Sequence, residues 1–290
     1  MKIQSSFQAN ESSGILYLVP TPIGNLEDMT FRAVRILQEV DKILAEDTRN
    51  SGKLLKHFDI MTSMQAFHEF TSDHQVEEII EQITRGQDYA LISDAGMPLI
   101  NDPGHPLVQA CLENDLSVVA LPGANAALTA LIASGLPGDQ FTYYGFFPRK
   151  ESQQVELIGK FGQREETAIF YESPHRIKKT ITVLSQHLLP NSRIVLGREL
   201  TKRYETYIRG TVEEIQIWLE SHTIKGEIVL LIQGACLIKD EEEDLANIPI
   251  RDQVQALLDT GSYSPNEAIK HVAKTLQMKK NEVYAIYHNL

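Results

Sequence analysis

Cysteine and tryptophan are nearly missing from this chain, with 2 Cys and 1 Trp among 290 residues. Cys111 and Cys236 lie in apolar segments far apart, which predicts buried thiols rather than a disulfide framework, and a cytoplasmic setting. No Cys/His spacing suggests zinc, so no metal site is expected. The apolar runs all fall short of the ~20 residues that cross a bilayer. Neither G-x-G-x-x-G nor a Walker lysine motif occurs, which removes the common phosphate-cradling loops. The polar opening "MKIQSSFQANESS" lacks the pattern of a signal or transit peptide and reads as a flexible leader over residues 1–13.

Positive charge is also scarce overall, with a formal net charge of −12. It is not evenly scarce. Residues 1–144 hold 8 Lys and Arg against 19 Asp and Glu, a net −11. Residues 145–210 hold 12 against 7, a net +5. Such a block can bind phosphate locally, because screening confines charge effects to roughly 10 Å at 0.1 M salt. A solvated helix face is the competing reading.

What is present is a regular alternation. "ILYLV" reads as a buried strand, and "TFRAVRILQEV" as a helix with Phe31, Val34, Leu37 and Val40 on one face, capped by Asp28 or Thr30. Short apolar strands and helical patterns then alternate to about Gly145, which predicts a parallel sheet covered by helices. From "FTYYGFFPRKES" the chain turns aromatic and basic, and a second α/β domain is expected over residues 146–236, after a first over 14–145. The strands near Arg193–Gly210 read as antiparallel or mixed. An acidic linker is expected over 237–249. Residues 250–290 read as three short helices, with Ser264, Pro265 and Glu267 forming a helix start and Ala268, Val272 and Leu276 an apolar stripe. A helix-turn-helix and a plain helical hairpin both fit that pattern.

In α/β sheets ligands sit at the carboxyl ends of strands, where loops and helix N-termini converge. Four such ends carry unusual residues. "VPTPIGN" has two prolines, which remove N–H donors and make a fixed wall. "AEDTRN" places Glu46, Asp47 and Arg49 together, either as a local ion pair with a helix cap or as groups offered to a polar substrate. "LISDAGMPLINDPGHP" puts Asp94, Ala95, Gly96 and Met97 after a buried strand, followed by a second Asp-Pro-Gly turn. "LPGANAALTAL" opens a helix at Asn125 and Ala126 with almost no side-chain bulk, and so leaves its free N–H groups accessible. The last two loops are expected to form an uncharged slot with one carboxylate, suited to a nucleoside or amino-acid moiety. In the second half, "FYESPHRI" and "GRELTKRYET" bring Glu172, His175, Arg176, Glu199 and Lys202 near tyrosines, a mixture that suits a phosphodiester backbone and unstacked bases.

"LYLVPTPIGNLEDMTFRA", "AEDTR", "SDAGMPLINDPG", "LPGANA" and "FYESPHRI", in that order, resemble the tetrapyrrole-methylase superfamily of S-adenosylmethionine-dependent methyltransferases, from about Gly14 to Leu290. Within it the chain is similar to the bacterial branch acting on 16S rRNA of the small ribosomal subunit. The resemblance implies an α/β fold of two domains with an inter-domain cofactor cleft, a small C-terminal helical domain, and a homodimer. It implies S-adenosyl-L-methionine as cofactor, contacted by Ile23, Asp94, Ala95, Gly96, Met97, Asn125, Ala126, Tyr171 or Glu172, and Leu200. The implied reaction is methyl transfer to the ribose 2′-hydroxyl of a cytidine. Glu46, Asp47 and Arg49 are the candidates for positioning the ribose or taking its proton, with Glu172 and Glu199 competing. The prolines of the first loop, and "SDAG" where tetrapyrrole enzymes carry Gly-Asp-Pro, are features of the rRNA branch. A tetrapyrrole methylase and a non-enzymatic nucleic-acid-binding regulator are the alternatives; the first has little use for the basic block, the second none for the small-residue slot.

Overall fold

The computed structural model describes residues 3–4, 13–238, 249–259, 263–276 and 278–288. Most of the expected leader and of the acidic linker lies outside them. The chain divides into two compact units, Met1–Cys236 and Leu237–Leu290.

The first unit holds two five-stranded sheets. Strands β1 (Ile15–Leu18), β2 (Lys42–Ala45), β3 (Met64–Ala66), β4 (Tyr89–Ile92) and β5 (Ser117–Ala120) form one, in the order β3-β2-β4-β1-β5. All its pairings are parallel. Helices α1 (Phe31–Glu39), α2 (Thr48–His57), α3 (Asp73–Thr84) and α4 (His105–Glu113) make the crossovers. Alternating strand residues feed two cores, as a period of two requires. Ile43, Ala90 and Ile92 pack with Ala33, Ile36, Leu37 and Leu55 of α1 and α2. On the other face Leu44, Tyr89 and Leu91 pack with Ile79, Ile83, Leu107 and Cys111 of α3 and α4.

The second sheet takes β6 (Phe141–Phe146), β7 (Thr167–Glu172), β8 (Arg193–Arg198), β9 (Thr206–Thr211) and β10 (Ile228–Ile232) in the order β6-β7-β10-β8-β9. It is mixed: β6 runs parallel to β7, and the other pairs are antiparallel. Its first strand starts at Phe141, ahead of residue 146. Helix α5 (Ala126–Ser134) leaves the first sheet and packs Ala127, Ala130 and Leu131 against Ile169, Val195, Val229 and Leu231. The opposite face is covered by α6 (Glu151–Gly162), α7 (Ile177–His187) and α8 (Val212–Ser221). There Phe170, next to Ile169 but pointing the other way, meets Phe147 and Phe161 with ring centroids 5.1 and 5.3 Å apart.

The helix starts follow the sequence. Thr30 caps α1 through the Ala33 amide, while Asp28 falls in a preceding 3-10 turn. Phe31 departs from expectation, since it is 98% exposed and the buried face of α1 runs through Ala33, Ile36 and Leu37 to Val40.

Among the described residues the second unit holds α9 (Ile250–Asp259), α10 (Pro265–Thr275) and α11 (Lys280–His288). Ser264 and Glu267 form the capping box, with Pro265 in the first turn. Val254, Ala268, Ile269, Val272, Ala273 and Val283 give this unit a core of its own.

Candidate active site

The loop after β1 is fastened to the loop after β4. The Thr21 amide donates to the Gly96 carbonyl at 2.9 Å, and the Gly96 amide donates back to Thr21 at 3.0 Å. The buried Thr21 hydroxyl adds a bond to the Ser93 carbonyl at 3.0 Å. Gly96 turns at φ 84°, and a Cβ there would stand 3.3 Å from Ile23 Cγ2. Only glycine combines that conformation with so close an approach. On the other flank a Cβ at Gly123 would meet Pro20 Cβ at 2.5 Å. The proline loop is thus clamped between the β4 and β5 loops as a wall.

That wall closes one side of a cavity of about 290 Å³ between the two sheets. Ile23, Asp94–Met97, Asn125 and Ala126 enter it from the first half, and Tyr171, Glu172 and Leu200 from the second. Every residue expected at the cofactor therefore lines one space. Asn125 caps α5 by accepting from the Leu128 amide at 3.0 Å, which brings the helix start to the cavity wall.

Glu46, Asp47 and Arg49 do not line the cavity. Asp47 caps α2, and its carboxylate pairs with the exposed Arg49 guanidinium at 3.1 Å. That pairing holds the Asp47 carboxyl down at about 2. Glu46 is exposed, and desolvation, followed by Asp94 and Asp47, raises its pKa.

Sequence reasoning missed several lining residues. Ile100, Asn101 and Asp102 belong to the second Asp-Pro-Gly turn, which the sequence places in a ligand loop without marking any of the three as a contact. Phe146 ends β6, and Glu227–Val229 arrive because β10 inserts between β7 and β8, a pairing without a local signal. The slot is consequently more acidic than expected: the β4 loop alone contributes Asp94 and Asp102. Burial, then the charge of Glu46, pushes Asp102 up to about 6.

The second-half carboxylates are committed elsewhere. Buried Glu172 accepts from the Thr180 hydroxyl at 2.7 Å and the Ser173 amide at 2.6 Å, with Arg176 Nε 3.6 Å away. Glu199 accepts from Lys202 Nζ at 3.1 Å and the Glu227 amide at 3.0 Å.

A family model for tetrapyrrole (corrin/porphyrin) methylases matches residues 15–216. The chain belongs to the tetrapyrrole methylase family. It is 48% identical, over all 290 residues and the full length of the relative, to "Ribosomal RNA small subunit methyltransferase I" of Streptococcus pyogenes serotype M3. Proteins of the same name from Halalkalibacterium halodurans and Bacillus subtilis are 44% and 43% identical, each covered to 99% on both sides. Among solved structures, diphthine synthase aligns with TM-score 0.61 at 11% identity, covering 76% of this chain and 90% of that one. Uroporphyrin-III-C-methyltransferase from Thermus thermophilus aligns with TM-score 0.54 at 18% identity, covering 77% and 94%. Those two likenesses concern the fold.

As a member of this family the chain is a methyltransferase, and its cofactor is S-adenosylmethionine. The cavity suits that molecule. Ile23, Met97, Leu200 and Val229 offer apolar surface for a nucleoside, the α5 N-terminus offers amides, and Asp94 offers negative charge to a sulfonium or an amino group. Its volume lies near the lower end of the ~300–1,000 Å³ common for small-molecule sites. Among the described residues no group of His, Cys, Asp or Glu could hold a metal ion.

Proposed function

We propose that this enzyme methylates the ribose 2′-hydroxyl of a cytidine in the 16S rRNA of the small ribosomal subunit. One observation carries the reading: relatives named for small-subunit ribosomal RNA match at 40–48% identity across 94–100% of the chain. The same reading makes the protein cytoplasmic, where its substrate is assembled. It also favours a homodimer. Helix α5 is apolar on almost every side, with Leu128 and Ile132 exposed at 43% and 85%, and a helix of that kind is normally covered.

The sulfonium donor, when bound, supplies an electrophilic methyl group. The protein's part is alignment of the acceptor oxygen and removal of its proton. Ile23, Asp94–Met97, Asn125, Ala126, Tyr171, Glu172 and Leu200 are assigned to the cofactor. Tyr171 bonds to the backbone of Ala127 at the α5 start and packs edge-on against Tyr143, with centroids 5.0 Å apart. Glu46, Asp47 and Arg49, one strand end away, are assigned to positioning the ribose at the cavity rim.

RNA needs a phosphate-binding shelf beside this opening. Arg176 Nη2 donates to the Phe147 and Pro148 carbonyls at 2.7 and 2.8 Å. This clip joins the loop after β6 to the turn after β7, and the strands that lead into both send a residue into the cavity. Two exposed basic runs follow, Arg149–Lys150 and Lys178–Lys179, with exposed His175 beside them. Among the described residues none of the four Arg and Lys side chains joins an ion pair, so their charge is available to phosphates.

The test is a partition of label. The protein is given methyl-labelled S-adenosylmethionine with small-subunit particles, naked 16S rRNA or a tetrapyrrole. Label in ribosomal RNA is expected. Label in the tetrapyrrole alone would overturn the reading, and no cofactor binding by calorimetry would leave only the regulator.

A further inference from the structure

We propose that Asp102 is the base that takes the proton from the ribose hydroxyl, resting on the reading that this hydroxyl is the methyl acceptor. Among the described residues four carboxylates line the cavity: Asp94, Asp102, Glu172 and Glu227. Buried Glu172 already accepts from the Thr180 hydroxyl and the Ser173 amide with Arg176 beside it, so protonating it would disturb the turn it holds. Glu227 is paired with Lys202 Nζ at 2.8 Å, and its side chain is 80% exposed, so both a cation and water compete for it. Asp94 is exposed to solvent, so water competes for it. Asp102 is half-buried and makes no ion pair among the described residues.

The backbone around it is built to hold it there. Leu99 and Asn101, neither of them glycine, sit in the left-handed region at φ 70° and 67°. Such conformations cost energy and persist where the surrounding structure enforces them. Asn101 is enforced by the Tyr143 hydroxyl, which donates to its Oδ1 at 2.7 Å. Gly145, at φ 73°, lets Asn101 pack close, since a Cβ there would meet its Nδ2 at 3.1 Å. Gly104, at φ 132°, closes the turn against Leu91. Asp102 is thus pinned between two fixed points on the cavity wall.

Its surroundings also set its proton affinity. The titratable groups that act on it are Glu46 and Asp94, which repel its charge, and it in turn acts on Tyr143 and Tyr171; the Ser93 hydroxyl bonds to it in the opposing sense. With a pKa of about 6 the carboxylate is ionised at neutral pH yet more basic than an ordinary one. In the step, the 2′-oxygen forms its bond to the methyl carbon as the carbon–sulfur bond breaks. The sulfur keeps that bonding pair, and the hydroxyl proton passes to Asp102.

The experiment compares unaltered protein, Asp102→Asn and Glu46→Gln in methylation of small-subunit particles at saturating S-adenosylmethionine from pH 5 to 9, with cofactor affinity from calorimetry. The unaltered protein should lose activity on acidification, with a midpoint near pH 6. Asp102→Asn should lower kcat about 10²- to 10⁴-fold and abolish that limb, while cofactor Kd changes less than about three-fold. Glu46→Gln should move the midpoint to lower pH, because one neighbouring negative charge is gone. Full activity in Asp102→Asn, an acid limb that survives it, or a loss of cofactor affinity matching the loss of rate would overturn the proposal. Failure of the unaltered protein to methylate rRNA would instead overturn the substrate reading, and the assignment with it.

Discussion

Asp102 and Glu172 are both carboxylates on the wall of one cavity, yet their neighbours give them opposite roles. Glu172 meets two donors and a guanidinium and holds the turn after β7. Removing it strands those groups in a buried setting, so Glu172→Ala should cost about 3 kcal/mol in urea unfolding. Asp102 meets mainly negative charge. Its folded value of about 6 exceeds the ordinary 3.8, so the folded protein binds that proton more tightly than the unfolded chain does. The resulting stability is complete below pH 4 and lost as pH rises through 6. Allowing for screening, the loss is on the order of 2 kcal/mol. Asp102→Asn should therefore melt about 2–6 °C higher than the unaltered protein at pH 8, with the gap closing at pH 4.5. At this scale Asp94 and Asn125 are legible in the sequence, because each closely follows a strand. Asp102 is not: Asp-Pro-Gly satisfies a turn by itself, and only the fold shows which way its carboxylate is enclosed.

At the scale of elements, helix and strand existence is easier to read than phase. The apolar pattern puts Phe31 and Val40 on one face of α1, but nine residues at ~100° each set them on opposite sides of the helix. The stripe that wins is Ala33, Ile36, Leu37 and Val40, because it meets Ile43 and Ala90 of the sheet. The clamped loop after β1 is also an element-level device. Its prolines cannot cradle phosphate, but Pro20 fits into the space left by Gly123. A methyl group there forces a rigid ring aside. Gly123→Ala should destabilise the protein by about 1–3 kcal/mol and weaken S-adenosylmethionine binding several-fold by calorimetry. Packing of this kind joins residues about a hundred positions apart, which no local pattern encodes.

For the whole molecule, the charge asymmetry and the change from parallel to mixed pairing are both visible in the sequence. What it does not supply is the insertion of β10 into the middle of the second sheet, which carries Glu227–Val229 to the cavity. Since every lining residue among the described residues lies in the first unit, a chain ending at residue 238 should bind S-adenosylmethionine within about two-fold of the full protein by calorimetry. Replacing Arg149, Lys150, Lys178 and Lys179 with Ala should weaken RNA binding and flatten its dependence on salt. The slope of log affinity against log salt should fall by about 0.7–0.9 for each phosphate no longer neutralised, with cofactor affinity unchanged.

The most direct measurement is the identity of the product. 16S rRNA from particles treated with the protein and S-adenosylmethionine is digested to nucleosides and analysed by mass spectrometry. A gain of 2′-O-methylcytidine, absent without the protein, is the expected result. A methyl group on a base, or no methylated nucleoside while a tetrapyrrole accepts the label, would contradict the account.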